Sequence, residues 1–307
     1  MKVIYGIENY KPLKSCALTI GTFDGVHVGH QKIIKRLVSV SENKNLHPIV
    51  LTFFPHPRMI LQSDTSIKLI DTLDEKIDLL KQLNIGTLII HPFSKSFSRM
   101  TANEFVRDII VKSLSVNYLI IGYDHRFGRN REATVDNLIN CGFTYGFEVE
   151  KIEAKEIESV NVSSTKIRNA ITTGDIHKAN KYLNRPFSIT GRVVNGNGIG
   201  RKIDFPTANI LVAEDFKLLP KDGVYFVKSS IKSRYFFGMM NIGFRPTVNG
   251  KVRTIEVHYF KFNENLYDKK IKIEFLDLIR KEKKFNSLED LEKQLVIDKK
   301  LCEDLIK

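Results

Sequence analysis

An α/β domain built on a parallel sheet, followed by an antiparallel β domain, is what the 307-residue sequence predicts. Three observations predict it. Strand and helix patterns alternate over the first 180 residues, strands alone follow Tyr182, and a capped helix closes the chain. A length near 300 also lies where one hydrophobic core stops growing and chains divide.

Taken in order, Ala17 to Phe23 reads as a strand, and Val28 to Val40 as a helix with Ile33, Ile34 and Leu37 on one face. Ile49 to Phe53 is a second buried strand. Thr72 with Glu75 forms a capping box ahead of a helix carrying Ile77, Leu80 and Leu83. Thr101 with Glu104 forms another, ahead of Phe105, Val106 and Ile109. The short apolar strands Thr87 to Ile90 and Tyr118 to Ile121 follow these helices, a spacing that implies a doubly wound parallel sheet. Beyond Tyr182 the segments Ile189 to Val194, Val224 to Lys228, Tyr235 to Met240, Thr254 to Phe260 and Lys270 to Leu276 read as antiparallel strands bounded by Gly, Pro and Asn. Ser287 with Asp290 starts a terminal helix presenting Leu288, Leu291 and Leu295. Asn184-Arg185-Pro186 marks the boundary, because the residue before proline disfavours helix. The expected domains are 1–183 and 184–307.

Composition excludes several classes. No apolar run approaches the roughly 18 residues of a membrane span, and Met1 to Tyr10 has no apolar stretch of the secretory kind. A cytoplasmic location, with no membrane partner, is therefore expected. Cys16, Cys141 and Cys302 are far apart and form no CxxC pair, which argues against a disulfide framework or a zinc knuckle. The net charge of +13 invites a nucleic-acid partner, but it is spread as +5 before residue 184 and +8 after it. A solvated basic surface, with no nucleic acid, is the expectation. Self-association is left open.

Two segments carry chemistry. Gly21-Thr-Phe-Asp-Gly-Val-His-Val-Gly-His30 lies where the first strand ends and the first helix begins. Helix N-termini there offer unpaired N–H groups, and Gly21, Gly25 and Gly29 let a phosphate approach the backbone. His27 and His30, three residues apart, can face one phosphate chain and donate to charge that builds on it. Two structural histidines near a turn is the competing reading. A zinc site would need a third ligand from His47, His56 or another isolated residue. The second segment contains Gly196-Asn-Gly-Ile-Gly200, which no helix follows, so a dinucleotide fingerprint fails. A phosphate-covering flap and a plain hairpin turn both fit it.

The first segment resembles the nucleotidylyltransferase superfamily, and the full GTFDGVHVGH is similar to the FMN adenylyltransferase module of bacterial bifunctional riboflavin kinase/FAD synthetases. Leu51-Thr-Phe-Phe-Pro-His-Pro-Arg58, Ile121-Gly-Tyr-Asp-His-Arg-Phe-Gly128 and Val162-Ser-Ser-Thr-Lys-Ile-Arg168 match further motifs of that module in order. Gly-x-Gly-x-Gly-Arg followed by Phe205-Pro-Thr-Ala-Asn209, then Met240-Asn-Ile-Gly-Phe-Arg-Pro-Thr247 and Thr254-Ile-Glu-Val-His258, resemble the riboflavin kinase module. The resemblance covers about residues 15 to 305. It implies a nucleotidylyltransferase domain and a C-terminal β-barrel with its terminal helix.

The activities implied are riboflavin to FMN in the barrel and FMN to FAD in the first domain, with ATP as co-substrate and Mg²⁺ as cofactor. ATP contacts in the first domain are implied for Gly21, Phe23, Asp24, Gly29, Asp124, Ser163, Ser164 and Thr165, with His27, His30 and Arg168 as the catalytic set. In the barrel they are implied for Gly198, Gly200, Lys202, Thr207 and Asn209, the last two also holding the metal. Oxygen ligands suit a hard cation. Flavin contacts are implied for His56, Arg58 and Arg245. Glu256 is the expected general base, because phosphorylating a neutral ribityl hydroxyl requires removal of its proton. His125 and Asp204 depart from the family, which commonly has Phe and Gly there. They motivate one rival reading, a chain retaining one activity only; a second rival, a basic barrel that binds nucleic acid, rests on Tyr235-Phe236-Phe237 beside Arg234.

Overall fold

The computed structural model describes all residues except 13, 62–66, 124, 154–161, 197–198, 248–249 and 307, and no side chains at 199, 202, 245–247 and 250–252. Packing groups the chain into two units, Met1–Ser164 and Thr165–Lys307.

The first unit is a six-stranded parallel sheet in the order β1-β4-β3-β2-β5-β6. Its strands are β1 (Lys2–Tyr5), β2 (Cys16–Ile20), β3 (His47–Phe53), β4 (Thr87–His91), β5 (Val116–Gly122) and β6 (Glu148–Ile152). Successive side chains of a strand point to opposite faces. Accordingly Leu18, Ile49, Leu51 and Leu119 join one core, while Ala17, Val50, Leu88 and Ile120 join the other. With both faces covered, these strands carry continuous apolar runs, which makes them readable from sequence. Strand order reverses beside β2, since the chain winds outward to β3 and β4 and returns to β5 on the other side. Ligands of such sheets bind beyond the carboxyl ends of the strands at this reversal. The GTFDGVHVGH turn leaves β2 there.

The helix Val28–Asn43 buries Ile33, Ile34 and Leu37 as expected. Both expected capping boxes are present, at Thr72/Glu75 and Thr101/Glu104. The second leads into a π-helix, Phe105–Ser113, and not an α-helix. The Leu114 amide donates to the Ile109 carbonyl five residues back, and the wider turn puts Phe105, Val106 and Ile110 inside.

The second unit is a closed antiparallel barrel in the order β10-β11-β8-β7-β12-β9. The strands are β7 (Phe187–Val194), β8 (Ala208–Leu211), β9 (Gly223–Ile231), β10 (Arg234–Thr247), β11 (Gly250–Tyr259) and β12 (Lys270–Lys281). Tyr225 and Phe187 both pack on Phe275, with ring centroids 5.2 and 5.6 Å away. Two helices, Ser164–Thr173 and Ile176–Leu183, precede the barrel. The Asn180 side chain joins the second of them to two strands, donating to the Phe275 carbonyl and accepting from the Phe187 amide.

The terminal helix Leu288–Asp304 starts at Ser287, whose Oγ accepts from the Asp290 amide. Leu291, Leu295 and Cys302 cover Val224, Phe226, Met239 and Phe260. Asp298 is fully buried on this helix and holds the Arg280 guanidinium at 2.7 to 3.0 Å, with Gln294 also donating to it. Removing one partner of such a pair leaves an uncompensated charge. Asp298→Ala is expected to lower the stability of this unit by about 3 kcal/mol, measured by urea denaturation. A loss below about 1 kcal/mol, the range of an exposed ion pair, would assign the docking of the helix to its apolar face alone.

Candidate functional sites

The turn after β2 is held from below. The Thr22 carbonyl accepts from Thr52 Oγ at 3.2 Å and from Lys76 Nζ at 2.8 Å. The Asp24 carboxylate is buried and accepts from the amides of Ile70 and Asp71 at 3.0 and 3.5 Å. Phe23, Gly25 and Val26 take φ of 46°, 88° and 38°. That conformation is free for Gly25 but strained for a β-branched residue such as Val26, so the surrounding ties must over-determine it. Gly21 lies against the Phe23 ring, which a Cβ would meet at 3.1 Å.

His27 is the N-cap of the helix, where its Nδ1 accepts from the His30 amide at 3.3 Å. Accepting at Nδ1 puts the proton of the neutral ring on Nε2, so His27 presents an N–H outward from the cap. The His27 and His30 rings stack at 3.6 Å, and Phe23 meets His30 edge-on at 5.2 Å. Burial pushes His27 down to about 4. Burial also drives His30 well below the ordinary histidine range, with help from the neighbouring His27 and Lys76 charges. Both rings are therefore neutral at pH 7, and Nδ1 of His30 is buried with no hydrogen-bond partner among the described residues.

Ser164 Oγ donates to the Asp24 carbonyl at 2.9 Å, which ties Ser164 to this turn. Ser163 and Thr165 are exposed, and Arg168 lies one turn into the Ser164–Thr173 helix. His56 is buried and accepts the Arg58 amide at Nδ1, while the Arg58 side chain is exposed. Asp124 lies outside the described residues. His125 stacks on Phe127 at 6.2 Å, and Phe127 packs on Phe105. The ring replacing the family's Phe thus keeps an aromatic neighbour.

In the barrel, Thr207 Oγ donates to Glu256 at 3.2 Å. Glu256 stands opposite Asn209 across β8 and opposite Asn241 across β10. Thr207, Asn209 and Glu256 therefore converge from two strands that sequence places about 50 residues apart. The neighbouring His258 is buried, and its Nδ1 donates to the Pro206 carbonyl at 2.9 Å. Glu256 thus meets the Thr207 side chain and His258 the preceding Pro206 carbonyl. Asn241 and His258 lie inside motifs that stand out in the sequence, yet only the register between strands gives them a place.

The glycine loop closes onto the same residues. A Cβ on Gly196 would collide with the Asn209 amide, and one on Gly200 with the Phe205 carbonyl. Phe205 N–H donates to the Gly200 carbonyl at 2.8 Å, fixing the loop to the start of Phe-Pro-Thr-Ala-Asn. Gly198 lies outside the described residues, and Lys202 and Arg245 are described in backbone only, in a short 3₁₀ turn and in β10. Asp204 is exposed with φ of 57°, in the left-handed region that costs Gly nothing and that Asp tolerates, so Asp in place of the glycine the resemblance implies suits this backbone.

A FAD synthetase family model matches residues 10–166, and a riboflavin kinase model matches residues 183–306. A bifunctional riboflavin kinase/FMN adenylyltransferase of Buchnera aphidicola (subspecies Schizaphis graminum) is 38% identical over 97% of this chain and 96% of its own. The chain belongs to this bifunctional family. Relatives of the same description from Haemophilus influenzae and Escherichia coli K12 are 37% and 36% identical, each over 97% of this chain and 97% and 96% of theirs. A crystal structure described as a macrolide-efflux protein from Streptococcus pneumoniae is 30% identical, with a TM-score of 0.90 over 99% of both chains. Among the described residues no helix is long and apolar enough to cross a membrane. The FAD synthetase match contains the histidine turn, and the riboflavin kinase match contains the Thr207–Glu256 pair.

The neutral, buried His27 makes the first unit of this family member acid-sensitive. Its folded-state value of about 4 lies below the ordinary 6.5, so between those values the unfolded chain binds the extra proton. Stability is full above pH 6.5 and falls as pH drops towards 4. His27 alone is expected to cost about 2 kcal/mol at pH 5 relative to pH 7. Urea denaturation at the two pH values, compared between wild type and His27→Gln, checks it, and an equal acid penalty in both proteins refutes it.

Proposed function

We propose that the chain performs two transfers from ATP at separate sites, one on each unit. Riboflavin is phosphorylated to FMN with release of ADP at the barrel, and FMN is adenylylated to FAD with release of pyrophosphate at the β2 turn. Both substrates and ATP are small and water-soluble, and the work is placed in the cytoplasm.

At the barrel, Glu256 takes the proton of the ribityl hydroxyl as that oxygen attacks the γ-phosphate. The Thr207 hydrogen bond fixes the direction of the carboxylate. Thr207, Asn209 and Glu256 offer hydroxyl, amide and carboxylate oxygens, the donor set a hard cation prefers. Thr207 and Asn209 would hold Mg²⁺, which supplies charge neutralisation on the ATP phosphates when bound. The Gly196–Gly200 loop, closely fitted to Asn209 and Phe205, covers those phosphates with Gly198, Gly200 and Lys202. Arg245 contacts the flavin.

At the β2 turn no base is needed, because the FMN phosphate that attacks the α-phosphate of ATP is already an anion. The residues instead position the two reactants and stabilise the departing pyrophosphate. His27 donates from Nε2, the outcome its Nδ1 bond dictates, and His30 brings a buried Nδ1 with no hydrogen-bond partner among the described residues. Gly21, Phe23, Asp24 and Gly29 shape the turn, with Asp24 acting through the amides of Ile70 and Asp71. Ser163 and Ser164 hold the phosphates, a role the family resemblance extends to Thr165 and Arg168, while Asp124 meets the nucleotide, and His56 and Arg58 serve the flavin.

The observation that carries this reading is the Thr207–Glu256 contact on one unit and the stacked His27–His30 pair on the other, each inside the matching family model. Purified chain given riboflavin, ATP and Mg²⁺ is expected to yield FMN and then FAD by chromatography. Glu256→Gln should cut FMN formation about 10³-fold and leave FMN-to-FAD conversion intact. His30→Ala should do the converse, by about 10²-fold or more. Loss of both activities in either folded variant would refute the two-site reading.

A further inference from the structure

Lys76 is a buried ammonium that neither transfer uses directly. It sits in the first turn of the Leu73–Lys81 helix, is 3% exposed, and donates to the Thr22 carbonyl at 2.8 Å. Long charged side chains are rarely buried this far without a compensating partner. Here the compensation is electrostatic: burial lowers the Lys76 pKa, while the buried carboxylates of Asp24 and Asp71 act in the opposite direction. The same two segments are tied in reverse by Asp24, which accepts from the amides of Ile70 and Asp71. The 70–76 segment therefore grips both ends of Thr22-Phe23-Asp24. This tripeptide opens the stretch with positive φ at Phe23, Gly25 and Val26, which ends in the stacked histidines.

We propose that Lys76 is a positioning residue for adenylyl transfer, holding the Thr22 carbonyl so that the strained turn presents His27 and His30 to the ATP phosphates. The inference rests on the proposed use of that turn for FMN adenylylation. Thr52 Oγ, at 3.2 Å, also donates to the Thr22 carbonyl. It is a neutral hydroxyl on β3 and cannot replace an ammonium bond, which is the stronger kind. Without Lys76 the turn relaxes towards unstrained φ, and the histidine pair shifts relative to the reacting phosphorus. A displacement of this kind acts on the rate of the chemical step more than on ATP affinity, which is shared among many contacts.

The test is steady-state FMN-to-FAD conversion by the full-length Lys76→Met variant, with riboflavin phosphorylation by the same preparation as internal reference. The expected result is a kcat for FAD formation at least ~20-fold below wild type, KM for ATP and FMN within about 3-fold, and unchanged FMN formation from riboflavin. Because Lys76→Met removes the positive charge facing Asp24 and Asp71, Asp71→Asn/Lys76→Met is measured beside it. Wild-type kcat in either folded variant overturns the proposal, as does a loss expressed only in KM. Failure of both variants to fold also overturns it, since Lys76 would then be a residue of the core and not of the turn. If the wild-type chain makes no FAD from FMN, the parent reading has failed instead.

Discussion

The hydrogen bond from the His30 amide to Nδ1 of His27 decides more than any other single contact in the first unit. It caps the helix, so the helix starts with one of its orphan amides satisfied by a histidine side chain. It also sets the tautomer, because a ring nitrogen that accepts cannot carry the proton. The two rings come within stacking distance, where neither can gain a proton cheaply beside the other. A neutral pair of donors in a buried turn is suited to a substrate that arrives with its own charge, since nothing cationic must be desolvated before binding.

The barrel solves a different problem with different means. The acceptor proposed for the barrel is a neutral alcohol, and the proposed reading gives its proton to a carboxylate. Glu256 is placed by cross-strand pairing and oriented by Thr207, while His258, two residues on, holds the Pro206 carbonyl. Gly196 and Gly200, which contact Asn209 and Phe205, have no room for a Cβ, so the backbone at these two positions lies directly against an amide and a carbonyl. Both units thus use glycine for close approach, but one uses it at a helix start and the other at a strand connection.

Local signals are legible in the sequence, and tertiary ones are not. The capping boxes at Thr72 and Thr101 and the cap at Ser287 involve residues three apart, and all three are present. The central strands announce themselves because both faces are covered. The expected first strand runs too far, to Phe23, because the apolar run does not reveal that Phe23 takes a positive φ and leaves the sheet. The helix Val135–Tyr145 and the strands β1 and β6 escape a reading by pattern. At the sites, His27, His30, Thr207, Asn209 and Glu256 stand out by motif. Lys76 and Asp71 do not, because their places arise from chain segments that only folding brings together, and Asn241, though inside a motif, is set opposite Glu256 only by strand register.

The strand β6 escapes because Glu148, Glu150 and Lys151 interrupt its apolar pattern, and those same residues do a job at the margin of the sheet. Arg36 and Lys44 pair with Glu150 and Glu148, and the Tyr118 hydroxyl donates to Glu150. An outer strand exposes unpaired amides and carbonyls that invite another chain to add itself. Charge along β6 discourages that recruitment, and the barrel closes on itself with no outer strand at all. The feature that hides β6 from a hydrophobicity-based reading is therefore a protection against aggregation in a protein whose central strands are continuous apolar runs.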